Sequence, residues 1–336
     1  MRKLFFCSLA FFMCSSYAEE AKLDPYAKRR QKDEKGIVSV MVENDVFANA
    51  DKHYTNGARV SYLSPETSVS KHIEKLGNKL LLFKERAYKR YSYSFGQSMF
   101  TPKNIKVSNP STRDRPYAGW TYVSMGIISS NKKRLDNFEV SVGMVGPASL
   151  AEQTQKTVHK VVGSPDPKGW DHQLKNELGV FLSYDRQWRN QYQFETSAFK
   201  FNVTPSVGAN LGNVYTDLSA GIMTRFGRDI PFDYGPPRIR PSIPGSDFFI
   251  PKKDLGWYLF AGVEGRAVAR NIFLDGNTFR SSRHVKKNGL VGDFQVGAVM
   301  TWRDLRIGYT HVVRTREFKT QTSSDQFGAI SLSYRM

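Results

Sequence analysis

The sequence predicts an all-β chain, a twelve-stranded antiparallel transmembrane β-barrel. Three observations carry that prediction. Segments of about ten residues alternate apolar and polar side chains, the period of strands with one greasy and one wet face. Beyond the N-terminal leader there is no apolar run of about 18 residues, so a membrane-spanning helix is not available. The segments number twelve, an even count, and the last ends at the C-terminus, as closure of a single-chain barrel requires.

Residues 1–18 read as a secretory signal peptide. Arg2 and Lys3 precede the apolar run 4–14, and Ser16 and Ala18 are the small residues that cleavage needs. Bulky Phe11, Phe12 and Met13 ahead of Cys14 argue against lipoprotein processing. Cleavage after Ala18 removes 18 of the 336 residues and leaves one domain, 19–336, of 318 residues. Cys7 and Cys14 leave with the leader, which excludes cysteine catalysis and cysteine metal sites. Loss of Arg2 and Lys3 takes the formal charge from +18 to +16. A strongly basic exported chain meets an anionic partner, and export points away from nucleic acid and towards anionic lipid or lipopolysaccharide.

In chain order the strands fall at 37–45, 57–63, 90–100, 117–128, 138–145, 178–188, 194–203, 217–226, 256–268, 290–302, 305–313 and 327–334. Alternation alone does not say which face is dry, so a soluble β-sandwich or barrel with an aromatic core fits the same pattern. Aromatic residues near the strand ends, Trp120, Trp188, Trp257 and Trp302 among them, match the girdles of a membrane barrel. With the N-terminus in the periplasm, the connection 46–53 and the one between strands five and six share the outer rim, where Asn44 and Thr55 are expected to face each other. Two long connections fall on the opposite side. Residues 68–88 set Leu76, Leu80, Leu81 and Phe83 among lysines, an amphipathic helix for the inner membrane surface. Residues 226–255 hold Pro231, Pro236, Pro237, Pro241, Pro244 and Pro251, which makes that stretch a loop.

One segment has helical grammar. Ser149 with Glu152 three residues on forms a capping box, Gly163 can close the last turn, and Pro165 forbids continuation. On that short extracellular helix Glu152, Gln155 and His159 share a face. A solvated histidine on a packed helix is the plainer reading of the spacing.

The chain has no G-x-S-x-G elbow, Walker loop or H-E-x-x-H pattern. What remains is Asn44, Asp45, Thr55, Asn56, Gln155 and His159. A neutral imidazole can take a proton from water, and a carboxylate can hold a hard cation that stabilises an ester oxyanion. Oxygen donors such as Asp45 favour calcium over zinc. Asp45 alone reads equally well as a strand-end turn residue.

Several blocks are more specific: Glu43-Asn44-Asp45, Tyr54-Thr55-Asn56-Gly57, Gly96-Gln97-Ser98-Met99-Phe100-Thr101-Pro102, Asp114-Arg115-Pro116-Tyr117-Ala118-Gly119, Val145-Gly146-Pro147, Gln155 followed by His159, Gly169-Trp170-Asp171-His172-Gln173-Leu174-Lys175-Asn176-Glu177, Asn271-Ile272-Phe273-Leu274-Asp275-Gly276-Asn277 and Arg314-Thr315-Arg316-Glu317-Phe318. Together they resemble the outer-membrane lipid A 3′-O-deacylase family. The resemblance implies a twelve-stranded barrel in the bacterial outer membrane that uses Ca2+ to remove the 3′-linked acyloxyacyl chain from lipid A. It assigns His159 as the base that activates water and Asp45 as the calcium-site carboxylate. Asn44, Thr55 and Gln155 complete and orient the site. The family pattern places a lysine near Thr112-Arg113-Asp114. This chain has none there, and Arg113 or Arg115 would supply the charge to a lipid A phosphate. Trp170, Gln173 and Glu177 are expected to fix the loop after the helix, and Asp275-Gly276-Asn277 to form a turn. A non-catalytic pore or lipopolysaccharide-binding barrel, and a phospholipase, are the alternative functions.

Overall fold

Alternation closes into a wall. The computed structural model describes residues 32–45, 53–72, 75, 87–131, 133–242 and 244–336, with the backbone alone for 53–55. The signal peptide, most of the connection 46–53 and most of the amphipathic stretch 68–88 lie outside the described residues.

The strands are β1 Ile37–Asn44, β2 His53–Leu63, β3 Tyr88–Thr101, β4 Ala118–Ser130, β5 Arg134–Val145, β6 Glu177–Trp188, β7 Lys200–Gly212, β8 Tyr215–Arg228, β9 Leu255–Asn271, β10 Leu290–Trp302, β11 Leu305–Arg314 and β12 Asp325–Arg335. Each pairs antiparallel with its sequence neighbours, and β1 pairs with β12 from Ile37↔Arg335 to Asn44↔Gly328, so the sheet closes as a barrel of twelve strands. A short strand, Tyr192–Glu195, extends the β7 hairpin past the rim. The seventh strand therefore differs from the sequence reading at 194–203. Its register runs to Gly212 through Pro205 and Gly208, residues poor in strand propensity that conceal it. Pro205 falls between Val203, which pairs with Tyr192, and Ser206, which pairs with Gln187, a gap that tolerates a missing N–H.

The wall has an apolar outside and a charged inside. Val40, Val60, Phe95, Val123, Met125, Leu259 and Ile330 are exposed, while the alternate residues Glu43, Glu139, Asp185, Arg225, Glu264, Arg266, Asp293 and Arg306 are buried. That is the polarity of a membrane barrel and the reverse of a soluble one, which removes the sandwich reading. No helix among the described residues is long and apolar enough to cross a membrane.

The lumen is filled in layers. Near the rim that carries the β5–β6 connection, Phe100, Trp120, Tyr122, Phe181, Tyr215, Phe273 and Phe327 belong to one aromatic cluster. Trp120 stacks on Tyr122 at 4.2 Å inside the barrel, so it is not part of the girdle to which its position near a strand end assigned it. At the opposite rim Trp257 packs beside Phe226 and Phe199.

The proline-rich connection between β8 and β9 folds back into the lumen, and within it Phe232–Asp233 pairs antiparallel with Phe249–Ile250, so the expected lack of pairing is not complete. Tyr234 donates to the Asn131 carbonyl at the opposite rim (2.8 Å), and Phe248 and Phe249 pack with Ile37, Leu63, Ile128 and Leu135. Farther in, Arg225 donates to the Asp233 carboxylate at 2.5 Å, and Arg240 pairs with Asp185. Arg238 reaches Glu43 at 2.7 Å and Gln295 at 2.9 Å, and Arg314 donates to the Pro241 carbonyl at 2.8 Å. A proline-rich segment suits this place, because it brings few N–H groups that would need partners.

Candidate active site

The site is built on the outside of the wall. On β1, Met41 and Glu43 face the lumen, so Val40, Val42 and Asn44 face outward. The same parity turns Tyr93, Phe95, Gln97 and Met99 of β3 outward, and Gly119, Thr121, Val123 and Met125 of β4. The register Asn44↔Asn56, Asn56↔Met99, Met99↔Gly119 sets these four residues in one row across β1 to β4. At a strand spacing of about 4.8 Å, the row is roughly 14 Å long.

The helix, α1 Ala151–Val162, is seated at the β3–β4 end of that row. The Ser149 carbonyl accepts from Gln97 Nε2 at 2.7 Å and from Thr121 Oγ1 at 2.6 Å, both on outward-facing side chains. Met99, Ile105, Tyr117, Ala151 and Trp170 bury one another above them. Gly119 makes the close approach possible, since a Cβ there would stand 2.2 Å from Ala151 Cβ and from Ser149 Oγ. Gly119→Ala should push the helix off the wall at a cost of about 1–3 kcal/mol. The expected result is a barrel that still migrates heat-resistantly in gels but loses most of its activity.

The expected capping box does not form. Leu150, not Ser149, is the N-cap, in the left-handed conformation with φ 58° and no side-chain cap bond, and Glu152 accepts from Lys156 Nζ at 2.7 Å instead. A non-glycine residue held there costs about 1–2 kcal/mol. The other end is as read: Gly163, φ 73°, closes the last turn on the His159 carbonyl.

Two side chains on the inner face of α1 have defined chemistry. The Pro165 carbonyl lies 2.6 Å from His159 Nδ1. A carbonyl can only accept, so Nδ1 carries the hydrogen, which leaves Nε2 as the nitrogen that can offer a lone pair. Gln155 is 2% exposed, and its Oε1 accepts from Trp170 Nε1 at 2.7 Å. That bond fixes the amide orientation. Gln155 Nε2 is buried with no hydrogen-bond partner among the described residues, a donor held ready for an acceptor.

Asn44 ends β1, and Asp45 follows it, buried. The residue opposite Asn44 is Asn56, and Thr55 is the extra residue of a bulge between Tyr54 and Asn56, one step beyond the pairing read from the sequence. The Thr55 side chain lies outside the described residues. Asn44, Asp45, Thr55, Gln155 and His159 thus belong to one rim, while the two arginines part company. Arg113 is exposed on the β3–β4 loop, where its carbonyl accepts from Thr320 Oγ1. Arg115 is buried, with Nη1 3.3 Å from Glu317 Oε2 and its guanidinium 4.9 Å from the Phe100 ring centre, which corrects its placement as a phosphate contact at the surface. Burial raises the Glu317 pKa, but Arg115 and then Arg314 outweigh it and leave the carboxyl below its ordinary value. Sequence spacing held no sign of the Trp170–Gln155 bond or of the Arg115–Glu317 pair, which join residues 15 and 202 positions apart.

The rim loops interlock. Arg283 donates to the Pro110 carbonyl (2.7 Å) and to Asn109 (2.8 Å), and Asn277 bonds the Lys175 backbone in both directions. Asn277 acts here as a clip, in keeping with the turn read for Asp275-Gly276-Asn277. Among the described residues no three His, Cys, Asp or Glu side chains converge into a metal-binding group.

A family model described as "Outer membrane protein LpxR" matches residues 4–336. Among solved structures, LpxR from Salmonella typhimurium aligns with a TM-score of 0.71 at 18% identity, over 89% of this chain and 99% of that one. The β domain of the Bordetella autotransporter BrkA aligns at 0.44 and 7% identity, over 90% of this chain and 99% of that one. The curated proteins give no match. At 18% identity the Salmonella likeness is one of fold.

Proposed function

Because the chain belongs to the LpxR family of outer membrane proteins, we propose that it is a calcium-dependent lipid A 3′-O-deacylase. The observation that carries this reading is the pair on α1: an imidazole whose Nδ1–H is tied to a carbonyl, beside an amide donor without a partner among the described residues. Such a pair suits ester hydrolysis at the level of the lipid headgroups. His159 Nε2 takes a proton from water as the water oxygen attacks the carbonyl carbon of the 3′-linked ester. Gln155 Nε2 donates to the oxygen that becomes negative. When the adduct collapses, the carbon–oxygen bond to the sugar breaks and the proton on Nε2 passes to the 3′-oxygen. The products are lipid A with a free 3′-hydroxyl and the released acyloxyacyl acid.

The donors at the end of β1 fit calcium better than zinc. Asp45, a buried carboxylate, directly follows Asn44 at the end of β1, and oxygen donors of this kind suit a hard divalent cation. Asp45 would hold the ion, with Asn44, Thr55 and backbone carbonyls as neutral oxygen donors. When bound, the ion would supply positive charge that stabilises an ester oxyanion. Arg113, exposed on the neighbouring loop, would meet a lipid A phosphate. The filled lumen weighs against the alternative of a pore.

Mass spectrometry of lipid A from cells with and without the protein tests the reading. Loss of the 3′ acyloxyacyl group is expected, and it should stop when calcium is chelated. Intact lipid A with cleaved phospholipid would favour a phospholipase instead. Activity that survives thorough chelation would remove the metal from the mechanism. Trp170→Phe keeps an aromatic ring but loses the N–H that sets Gln155, and should lower kcat by roughly tenfold with KM little changed, less than outright removal of an oxyanion donor. An unchanged kcat would take Trp170 out of the positioning role.

A further inference from the structure

The helix beside the site carries an apolar surface that no described residue covers. Val158, Val161 and Val162, three and four positions apart, are exposed, Val161 by 80%. Leu150, at the head of the helix, is 58% exposed and sits at φ 58°, a backbone that glycine or asparagine adopts with less strain. A leucine in that conformation with its side chain outside makes sense if the side chain is used. The surroundings say what uses it. Gln97 and Thr121 hold the Ser149 carbonyl, and the next outward residues along the same strand faces are Phe95 and Val123, exposed members of the apolar belt. The helix therefore starts directly above that belt in an outer membrane protein.

We propose that Leu150, Val158, Val161 and Val162 seat α1 in the hydrocarbon of the surrounding leaflet, so that the apolar belt continues from the wall onto the helix. Lys160, on the far side of the helix from Val158, stays among the headgroups. The proposal stands on the membrane location and the exterior seat of α1, and not on the hydrolytic chemistry.

Single cysteines test it, since residues 19–336 hold no other cysteine. Val158→Cys, Val161→Cys and Lys160→Cys are each labelled with a nitroxide and reconstituted in bilayers of phosphatidylethanolamine and phosphatidylglycerol. Power saturation then compares collisions with oxygen, which dissolves in lipid, and with a water-soluble nickel chelate. The expected oxygen-to-nickel ratio is several-fold higher at 158 and 161 than at 160. It should fall at 161 when Leu150→Asn is added, a change the left-handed backbone tolerates. Equal ratios at the three positions overturn the proposal, and an unchanged ratio in Leu150→Asn overturns the part given to the leucine. The label reads depth and not turnover, so the expected ratios are the same whether or not the protein cleaves lipid A.

Discussion

Replacing His159 by alanine should lower turnover on lipid A by about a hundredfold to ten-thousandfold, the contribution of a positioned general base. The barrel should not suffer. The one hydrogen bond lost is to the Pro165 carbonyl on the surface of the rim, and α1 remains anchored through Ser149, Ala151 and the Gln155–Trp170 bond. The check is a time course of 3′-deacylation by mass spectrometry, run beside heat-modifiable migration in gels. A variant that folds and still turns over at the original rate would dismiss His159 as the base.

The second large effect is expected far from the chemistry. Asp233 is fully buried in the lumen, bonded to Arg225 at 2.5 Å and to the Tyr258 hydroxyl at 2.7 Å, with Arg306 at 3.6 Å. Asp233→Ala strands two buried guanidinium groups without their shared carboxylate, a loss of about 3–5 kcal/mol. Urea unfolding in detergent micelles should show a lower midpoint with the slope retained. Because the same carboxylate pins the lumenal segment, planar bilayers should also register ion conductance in the variant and none in the original protein. Asp233→Asn keeps the shape and removes the charge, and should fall between the two. Unaltered stability together with a silent bilayer would mean that the segment is held by packing alone.

The strands were legible because half of each had to be apolar. The alternation read at 256–268 and 305–313 became β9 Leu255–Asn271 and β11 Leu305–Arg314, longer by a few residues where hydrogen bonding outruns the pattern. β7 was misplaced because Pro205, Gly208, Asn210 and Gly212 carry no strand signal, and their pairing with β6 and β8 is imposed from both sides. The prolines of 226–255 kept most of that stretch out of regular pairing, although Phe232 and Asp233 pair antiparallel with Ile250 and Phe249. They could not announce that Tyr234, Phe248 and Arg238 would turn inward, because burial of that segment depends on partners such as Asn131 and Glu43 more than a hundred residues away. For the site, helix spacing set Gln155 and His159 on one face, and the helix Ala151–Val162 presents them so. The seat of that helix rests on Gly119, Gln97 and Thr121, whose role is purely spatial. Arg115 could not be told from Arg113 by sequence, since only the fold decides which guanidinium is covered by Phe100 and Glu317.

The placement of α1 on the outer side of the wall changes what kind of encounter this protein has. A ligand that is itself a lipid arrives by sideways diffusion within the sheet it already inhabits, without threading a channel or leaving for the aqueous phase. Collision frequency then follows molecules per unit area and not per unit volume, and the cylinder serves as a rivet that holds α1 at a fixed height. An encounter on that outer face needs no passage through the bore, so the barrel interior can be packed with side chains.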